Sequence, residues 1–196
     1  MNLLSPLVVL LAAWLAACES QPSRHYVLSS LSGPVSLPGL ERARLALEEV
    51  QVPPYLDRRN IVSYQTSNRL DVANLDVWAE PLDMGIARVL REDLARLLAD
   101  QRIAVMPADL SDADIRLSVW VLRFEQDASG EAALEAQWQL VPAGGSREPL
   151  LRRSEHREPV SGQGYDGIAA AMNETLHGLS RDIADAVVKL GSPPRR

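Results

Sequence analysis

The sequence contains few of the residues on which catalytic and metal sites usually depend. Its 196 residues include one cysteine, Cys18, and three histidines, His25, His156 and His177. One cysteine excludes intrachain disulfides and Cys-rich metal sites, and the histidines lack the spacing of metal ligands. No glycine-rich phosphate loop and no G-x-S-x-G nucleophile elbow occurs. We therefore expect a protein that is not an enzyme and holds no metal or cofactor. His177 is expected at the surface or the rim of its last helix.

Positive charge is also scarce. The formal net charge is -6, the isoelectric point is near 5.1, and Lys189 is the only lysine. A nucleic-acid partner needs a basic face, so this composition argues against one. The chain is long enough for one domain with a sizeable core.

The longest apolar run is too short to span a bilayer. It covers residues 7–17, about half of the roughly 20 residues that a membrane-spanning helix needs. Such a run fits the core of a signal peptide, which we place at residues 1–17. The alternative is a buried N-terminal helix with an ordinary core cysteine. That helix should show a polar face, and this run shows none.

The end of that run, Leu-Ala-Ala-Cys, resembles the lipobox of bacterial lipoproteins. The resemblance implies that Cys18 carries a covalent lipid and becomes the first residue of the mature chain. Residues 18–24 then form a polar tether. Glu19, rather than Asp, follows the cysteine, which by the same resemblance implies sorting to the outer membrane, on its periplasmic face.

The remaining pattern predicts strands, a helix, more strands and a second helix. Period-two alternation predicts a strand that begins near Ala43 and bulges near Glu48–Glu49. A short strand is expected at 26–30, and the polar stretch 150–158 is expected as a charged edge strand. Helical spacing predicts one helix from Pro81 and a last helix with Asp166 as its N-cap. The predicted stripe of the last helix is Ile168, Met172, Leu176, Leu179, Ile183, Val187 and Leu190.

These elements predict an α+β fold. We expect a mixed, mostly antiparallel β-sheet with two long amphipathic helices packed on one face. Residues 25–190 should form a single periplasmic domain, and residues 191–196 a disordered tail. In the strand that begins at Ile115, the residues Trp120, Leu122 and Phe124 are expected opposite the core face, where they either underlie another element or contact a partner or lipid.

Two stretches carry a more specific signal. They read "VQVPPYLDRRNIVSYQTSNRL" and "VWAEPLDMGIARVLREDLARLL". Together they resemble the PqiC-like family of ABC-type transport auxiliary lipoproteins, also described as subunits of membrane-integrity transport systems. The matching residues are Pro53 or Pro54, Tyr55, Leu56, Asp57, Arg58, Ile61, Val62, Trp78, Ala79, Glu80, Pro81, Leu82, Arg88, Val89, Leu90 and Leu94.

The resemblance implies a non-enzymatic part of an intermembrane phospholipid transport system that supports envelope integrity. Its implied partners are a periplasm-spanning MCE-domain protein of the PqiB type and inner-membrane transporter subunits of the PqiA type, and a homo-oligomeric ring is plausible for it. Our candidate partner-binding residues are Tyr55, Leu56, Asp57, Arg58, Trp78 and Glu80. A structural role is the alternative for each, and for Trp78 a place in the core is favoured, with Glu80 capping the helix.

Two other functions remain open from the residues. The chain could serve as an auxiliary or assembly lipoprotein of another ABC-type transporter or envelope machine. It could also be a tethered hydrolase, which would depend on a residue such as His156 or His177. We favour the first function because the sequence offers no catalytic set.

Overall fold

A computed structural model describes residues 21–33, 42–107, 112–145 and 147–191. The predicted signal peptide, the lipidation site Cys18 and residues 192–196 of the predicted tail lie outside these ranges, whereas Gly191 ends the last helix. None of the described helices is both long and apolar enough to cross a membrane.

The described residues form eight strands and two α-helices. They are β1 (Arg24–Tyr26), β2 (Ala43–Gln51), β3 (Asn60–Thr66), β4 (Arg69–Trp78), α1 (Leu82–Leu97), β5 (Ile103–Pro107), β6 (Ile115–Gln126), β7 (Glu131–Pro142), β8 (Leu150–Pro159) and α2 (Gly164–Gly191). The α+β fold class is confirmed. The prediction of a strand at 26–30 was wrong, because β1 ends at Tyr26 and shares only that residue with the predicted range. Asp166, the predicted N-cap, lies in the first turn of α2, which begins two residues earlier.

All eight strands belong to one mixed sheet. The extended pairings β6–β7, β7–β8 and β3–β4 are antiparallel, whereas β2 lies parallel to both β5 and β6, and β1 lies parallel to β4. The charged strand β8 pairs only with β7 and lies at an edge, as predicted. Edge charge of this kind discourages pairing with strands of other chains.

The sheet forks at β6. Strand β7 pairs along the whole of one edge of β6, so β2 and β3 share the other edge. Strand β2 pairs with residues 115–120, and β3 reaches β6 only at Gln126. Residues 121–125 of β6 therefore lack a neighbouring strand on that side, and their backbone groups need other partners.

Two β-bulges adjust which side chains face the core. The bulge predicted in β2 is confirmed, because the register against β6 shifts between Leu47 and Glu49. A second bulge in β6, between Val121 and Arg123, was not predicted. This bulge exchanges the core-facing and the outward-facing positions of β6 beyond Val121. The prediction that Phe124 lies opposite the core was therefore wrong, because Phe124 is fully buried. Trp120 is half-buried and Leu122 is exposed.

Helices α1 and α2 pack against each other and against the sheet, and they enclose one hydrophobic core. Helix α1 lies over β2 and β5, and α2 lies over β6, β7 and β8. Every residue of the predicted α2 stripe is buried except the last, Leu190, which is half-buried. The spacing of apolar residues thus identified the buried face of α2 correctly.

Candidate functional site

The sequence motif around Tyr55 fills the fork of the sheet. We call residues 52–59 the YLDR loop. It opens with a turn in which the carbonyl of Pro53 accepts hydrogen bonds from the amides of Leu56, at 2.9 Å, and Asp57, at 3.2 Å. Proline at this position limits the conformations that the loop can adopt. The loop therefore leads from β2 to β3 across the unpaired stretch of β6.

Tyr55 takes the place of a neighbouring strand in that fork. Its hydroxyl donates to Glu125 Oε2 at 2.9 Å and lies 3.4 Å from the carbonyl oxygen of Leu122. The same carboxylate accepts from the amide of Phe124 at 2.9 Å and from Arg123 Nε at 2.9 Å. Burial, together with Glu125, raises the pKa of Tyr55, so the hydroxyl remains a donor. The buried carboxylate of Glu125 thus provides hydrogen bonds in the stretch of β6 that neither β2 nor β3 pairs with.

The motif divides into buried and exposed residues. Leu56 and Trp78 are 2% and 3% exposed and belong to the core, and the amide of Trp78 donates to the carbonyl of Arg59 at 2.6 Å. Asp57 and Arg58 are exposed and make no ion pair with other described residues. A partner can therefore reach Asp57 and Arg58 directly, whereas Leu56 and Trp78 can only support them.

Glu80 does not cap α1, contrary to the structural alternative that the sequence suggested. Its Oε1 accepts from Arg88 at 2.6 Å through Nη2 and at 3.1 Å through Nε. Gly85 makes room for this carboxylate, because a Cβ there would lie 3.3 Å from Oε1. Arg88 Nη2 also donates to the carbonyl of Leu28 at 2.8 Å. Glu80 thus positions an arginine that holds the segment entering the domain.

That segment, residues 28–31, follows β1 and is called here the strap. Polar groups from both helices bind its backbone and Ser30. Asn173 Oδ1 accepts from the amide of Ser29 at 2.9 Å, and Glu92 Oε2 accepts from Ser30 Oγ at 2.6 Å. Hydrogen bonds from these side chains take the place of pairing with a strand, and the strap is therefore not part of the sheet, in which β1 ends at Tyr26.

The strap also covers a buried polar cluster. Asp93, fully buried on α1, accepts from the amide of Leu31 at 2.7 Å and from Ser180 Oγ at 2.9 Å. His177 Nε2 donates to the carbonyl of Ser29 at 2.9 Å. The prediction that His177 lies at the surface or the rim was wrong, because His177 is 6% exposed beneath the strap.

A second polar contact holds β1. Arg24 donates two hydrogen bonds to Asp76, at 2.6 Å through Nε and 2.7 Å through Nη2, and the Tyr26 hydroxyl donates to Asp76 Oδ1 at 2.9 Å. The hydrogen bond from Arg24 lowers the pKa of Asp76. Burial and the bond to Asp76 raise the pKa of Tyr26 to about 12. The domain is thus secured at the residue where the predicted tether ends.

The polar residues near His156 do not have the geometry of a catalytic triad. Ser154 Oγ donates to Asp182 Oδ2 at 2.6 Å, and His156 Nε2 lies 2.9 Å from the same oxygen. Trp138 Nε1 donates to Ser154 Oγ at 3.0 Å. The Ser154 hydroxyl is directed at the carboxylate of Asp182 and not at the imidazole of His156, so the serine–histidine contact of a triad is missing. In the described residues, no group of His, Cys, Asp and Glu is arranged to hold a metal ion.

Comparisons with known proteins agree with this architecture. The chain matches the family model "ABC-type transport auxiliary lipoprotein component" over residues 26–184. It is 31% identical to the intermembrane transport lipoprotein PqiC of Escherichia coli strain K12, over 94% of this chain and 97% of that protein.

Two solved structures share the fold. One is an uncharacterized protein, with a TM-score of 0.72 and 23% identity over 85% of this chain and 99% of that one. The other is protein XCC0632 from Xanthomonas campestris, with a TM-score of 0.67 and 18% identity over 86% of this chain and 97% of that one. With the family model spanning both the strap and the YLDR loop, the chain belongs to the family of ABC-type transport auxiliary lipoproteins.

Proposed function

We propose that this protein is a lipid-anchored, non-enzymatic component of an intermembrane phospholipid transport system. The main support for the proposal is the 31% identity to an intermembrane transport lipoprotein over nearly the full length of both chains. The anchor is a lipid on Cys18, and the location is the periplasmic face of the outer membrane, where the protein supports envelope integrity.

The strap and β1 support a mechanical role for the anchor. Arg24 is the last residue of the predicted tether, and it is joined to Asp76 by two hydrogen bonds. Five residues later the strap is held by both helices. Force applied at the anchor therefore passes into the sheet and helices. Such coupling suits a protein that holds a transport complex at a membrane.

The YLDR loop supports a docking role. It presents Asp57 and Arg58 to solvent while Tyr55 and Leu56 hold the loop's base, so the exposed charges are carried on a rigid support. Functional residues often occur on loops that a scaffold positions in this way. We propose that Asp57 and Arg58 contact the periplasm-spanning MCE-domain protein, and that Leu56, Trp78 and Glu80 act indirectly.

The test is gentle co-purification from native envelopes with a tag after Arg196. Mass spectrometry identifies the recovered proteins and the modification of the N-terminal peptide. We expect an MCE-domain protein, inner-membrane transporter subunits and a lipidated Cys18. Native mass spectrometry of the same sample tests for a homo-oligomeric ring. Unlipidated protein recovered from the cytoplasm would contradict the proposal.

A charge-reversed variant tests the loop. Asp57→Arg combined with Arg58→Glu should reduce recovery of the MCE-domain protein and leave folding unchanged. The matched control is Asp100→Arg with Arg181→Glu, an exposed acid and an exposed base elsewhere on the domain. If both double variants reduced the recovery of the MCE-domain protein equally, the loop would have no specific role in binding it.

A second function is favoured by the family description, which names ABC-type transport without naming a cargo. In that case the chain is an auxiliary or assembly lipoprotein of another ABC-type transporter or envelope machine. Recovery of lipidated protein with a transporter of that kind, and without an MCE-domain protein, would favour this function.

A further inference from the structure

Two exposed apolar side chains lie where the strap and α1 begin. Val27 is 54% exposed and joins β1 to the strap, and Met84 is 58% exposed in the first turn of α1. We call these two residues the apolar pair. Single apolar residues are common on protein surfaces, whereas neighbouring ones mark an interaction site more often. The relative position of Val27 and Met84 therefore decides what they can do.

The strap runs alongside α1 in the same direction. Three hydrogen bonds join successive strap residues to successive residues of the helix: Leu28 to Arg88, Ser30 to Glu92, and Leu31 to Asp93. Val27 lies one residue before Leu28. Met84 lies one helical turn before Arg88, which is about 6 Å along the helix axis. The direction shared by the two segments therefore places Val27 beside Met84.

A small enclosed space shows that the two segments touch. It is lined by Tyr26 and Leu28 on one side and by Leu82 and Gly85 of α1 on the other. Val27 lies between the first two of these residues in the chain. Successive side chains of an extended segment point to opposite sides, so Val27 is directed away from this space and toward solvent, in agreement with its exposure.

The predicted tether limits which side of the domain can face the membrane. Arg24, which begins β1, follows Cys18 by six residues, so the connection spans at most about 20 Å when fully extended. A folded chain of about 170 residues is roughly 40 Å across. Arg24 is joined to Asp76 in the sheet, so β1 cannot move away to lengthen the connection. The side that carries β1 and Val27 therefore lies nearest to the bilayer.

We propose that the apolar pair inserts into the surface of the bilayer that holds the lipid on Cys18. The proposal rests on the proposed lipid anchor and adds the face that the domain turns toward the membrane. Insertion removes both side chains from water, which stabilises the contact. Glu80 and Asp83 precede Met84 closely, so insertion reaches the boundary between headgroups and acyl chains and not the centre of the bilayer. A tether alone lets the domain rotate, whereas this second contact fixes its orientation.

Fluorophores on introduced cysteines test the contact. Cys18 is the only cysteine and its sulfur carries the proposed lipid, so Val27→Cys, Met84→Cys and Leu151→Cys each add the single free thiol of the full-length lipidated protein. Each is labelled with the fluorophore NBD in phosphatidylcholine nanodiscs that contain a lipid with a nitroxide near its headgroup. We expect several-fold quenching at positions 27 and 84 and little at 151. Leu151 is the matched control, because it is 57% exposed on β8, at another edge of the sheet.

Met84→Asp separates insertion from the proximity that the tether imposes. An acid in the first turn suits the positive end of a helix, so this variant should fold, and thermal unfolding checks that it does. In labelled Val27→Cys that also carries Met84→Asp, quenching at position 27 should fall to the level seen at position 151. Quenching that persists there would overturn the proposal, because the tether alone would then account for it.

Two other results would also overturn the proposal. One is the absence of quenching at positions 27 and 84. The other is fluorescence that rises at these positions only when unlabelled protein or the MCE-domain protein is added, because the apolar pair would then bind protein. Labelling of the wild type by the same reagent would show instead that Cys18 carries no lipid, which contradicts the proposed anchor itself. An unlabelled wild type without quenching in the variants contradicts only the insertion, so the two proposals fail in different ways.

Discussion

The strap and the YLDR loop are both irregular segments that cross the fold, but the structure holds them differently. The strap is bound by polar side chains from α1 and α2, among them the fully buried Asp93. The YLDR loop is held by one buried side chain, Leu56, by the Tyr55 hydroxyl, and by the hydrogen bond from the Trp78 amide to the Arg59 carbonyl. Its own charges, Asp57 and Arg58, remain exposed.

An interface can form more readily at the YLDR loop than at the strap. In the strap, the charged groups nearby are consumed by internal hydrogen bonds, so a partner would have to displace them at a cost. In the loop, the supporting contacts use an aromatic and an aliphatic side chain and leave the charges available. The strap therefore fits an anchoring role, and the loop fits a docking role.

The largest effect is expected from Leu56→Ala at the base of the loop. Loss of a buried leucine leaves a cavity, and we expect the free energy of unfolding to fall by about 2–5 kcal/mol. Urea unfolding measures this value. Leu151→Ala is the matched control, because Leu151 is 57% exposed on β8. A cost no greater than that of the control would show that the loop is not held by Leu56.

Asp93→Ala tests the strap. The substitution leaves the amide of Leu31 and the hydroxyl of Ser180 without their acceptor, and we expect a loss of about 1–3 kcal/mol. Hydrogen exchange should show faster exchange at the Leu31 amide, with little change at β7. If the Leu31 amide exchanges as slowly in the variant as in the wild type, Asp93 does not hold the strap. Asp100→Ala, at an exposed position a few residues after Asp93, serves as the control.

Asp76 makes the attachment of β1 dependent on pH. Its pKa is lower in the folded state, so its contribution to stability is present above the unfolded pKa, near 4, and is lost as the pH falls through the folded pKa. Because Arg24 is largely exposed, solvent screening keeps the effect small. Urea unfolding at several acidic pH values should show a smaller acid-dependent loss for Asp76→Asn than for the wild type. Parallel curves for the two proteins would exclude this role.

Arg58→Ala should have the smallest effect on stability. Its side chain is exposed and unpaired among the described residues, so we expect a change within about 0.5 kcal/mol. Recovery of the MCE-domain protein in co-purification should nevertheless fall. A large loss of stability instead would mean that Arg58 has a structural role. The charges of the YLDR loop would then be used inside the fold, as those at the strap are.

Much of the fold could be predicted from local patterns. The helix from residue 82, the hairpin that joins β6 and β7, and the bulge near Glu48–Glu49 follow from apolar periodicity and turn residues, which act over a few positions. Asp93 carried a signal that could have been used, since it lies four residues after Val89 on the apolar stripe of α1. An acid at such a position indicates a buried polar contact.

The candidate site was less predictable. The sequence identified the YLDR loop but left each residue open between a structural and a binding role. The burial of Leu56 and Trp78 depends on how the loop enters the fork of the sheet, and Glu125 was not singled out at all. His177 was misplaced because the strap that covers it lies 148 residues earlier in the chain.

The fold class, the buried face of α2, the charged edge strand β8 and the family could all be predicted from the sequence, because each depends on residue types at short, regular spacing. The core position of Phe124, the fork of the sheet at β6 and the exposure of each motif residue became apparent only in the folded chain. These outcomes depend on contacts between segments distant in the chain, such as Tyr55 with Glu125 and Ser29 with His177. No local pattern specifies such pairs, since their partners are chosen by packing around a shared core.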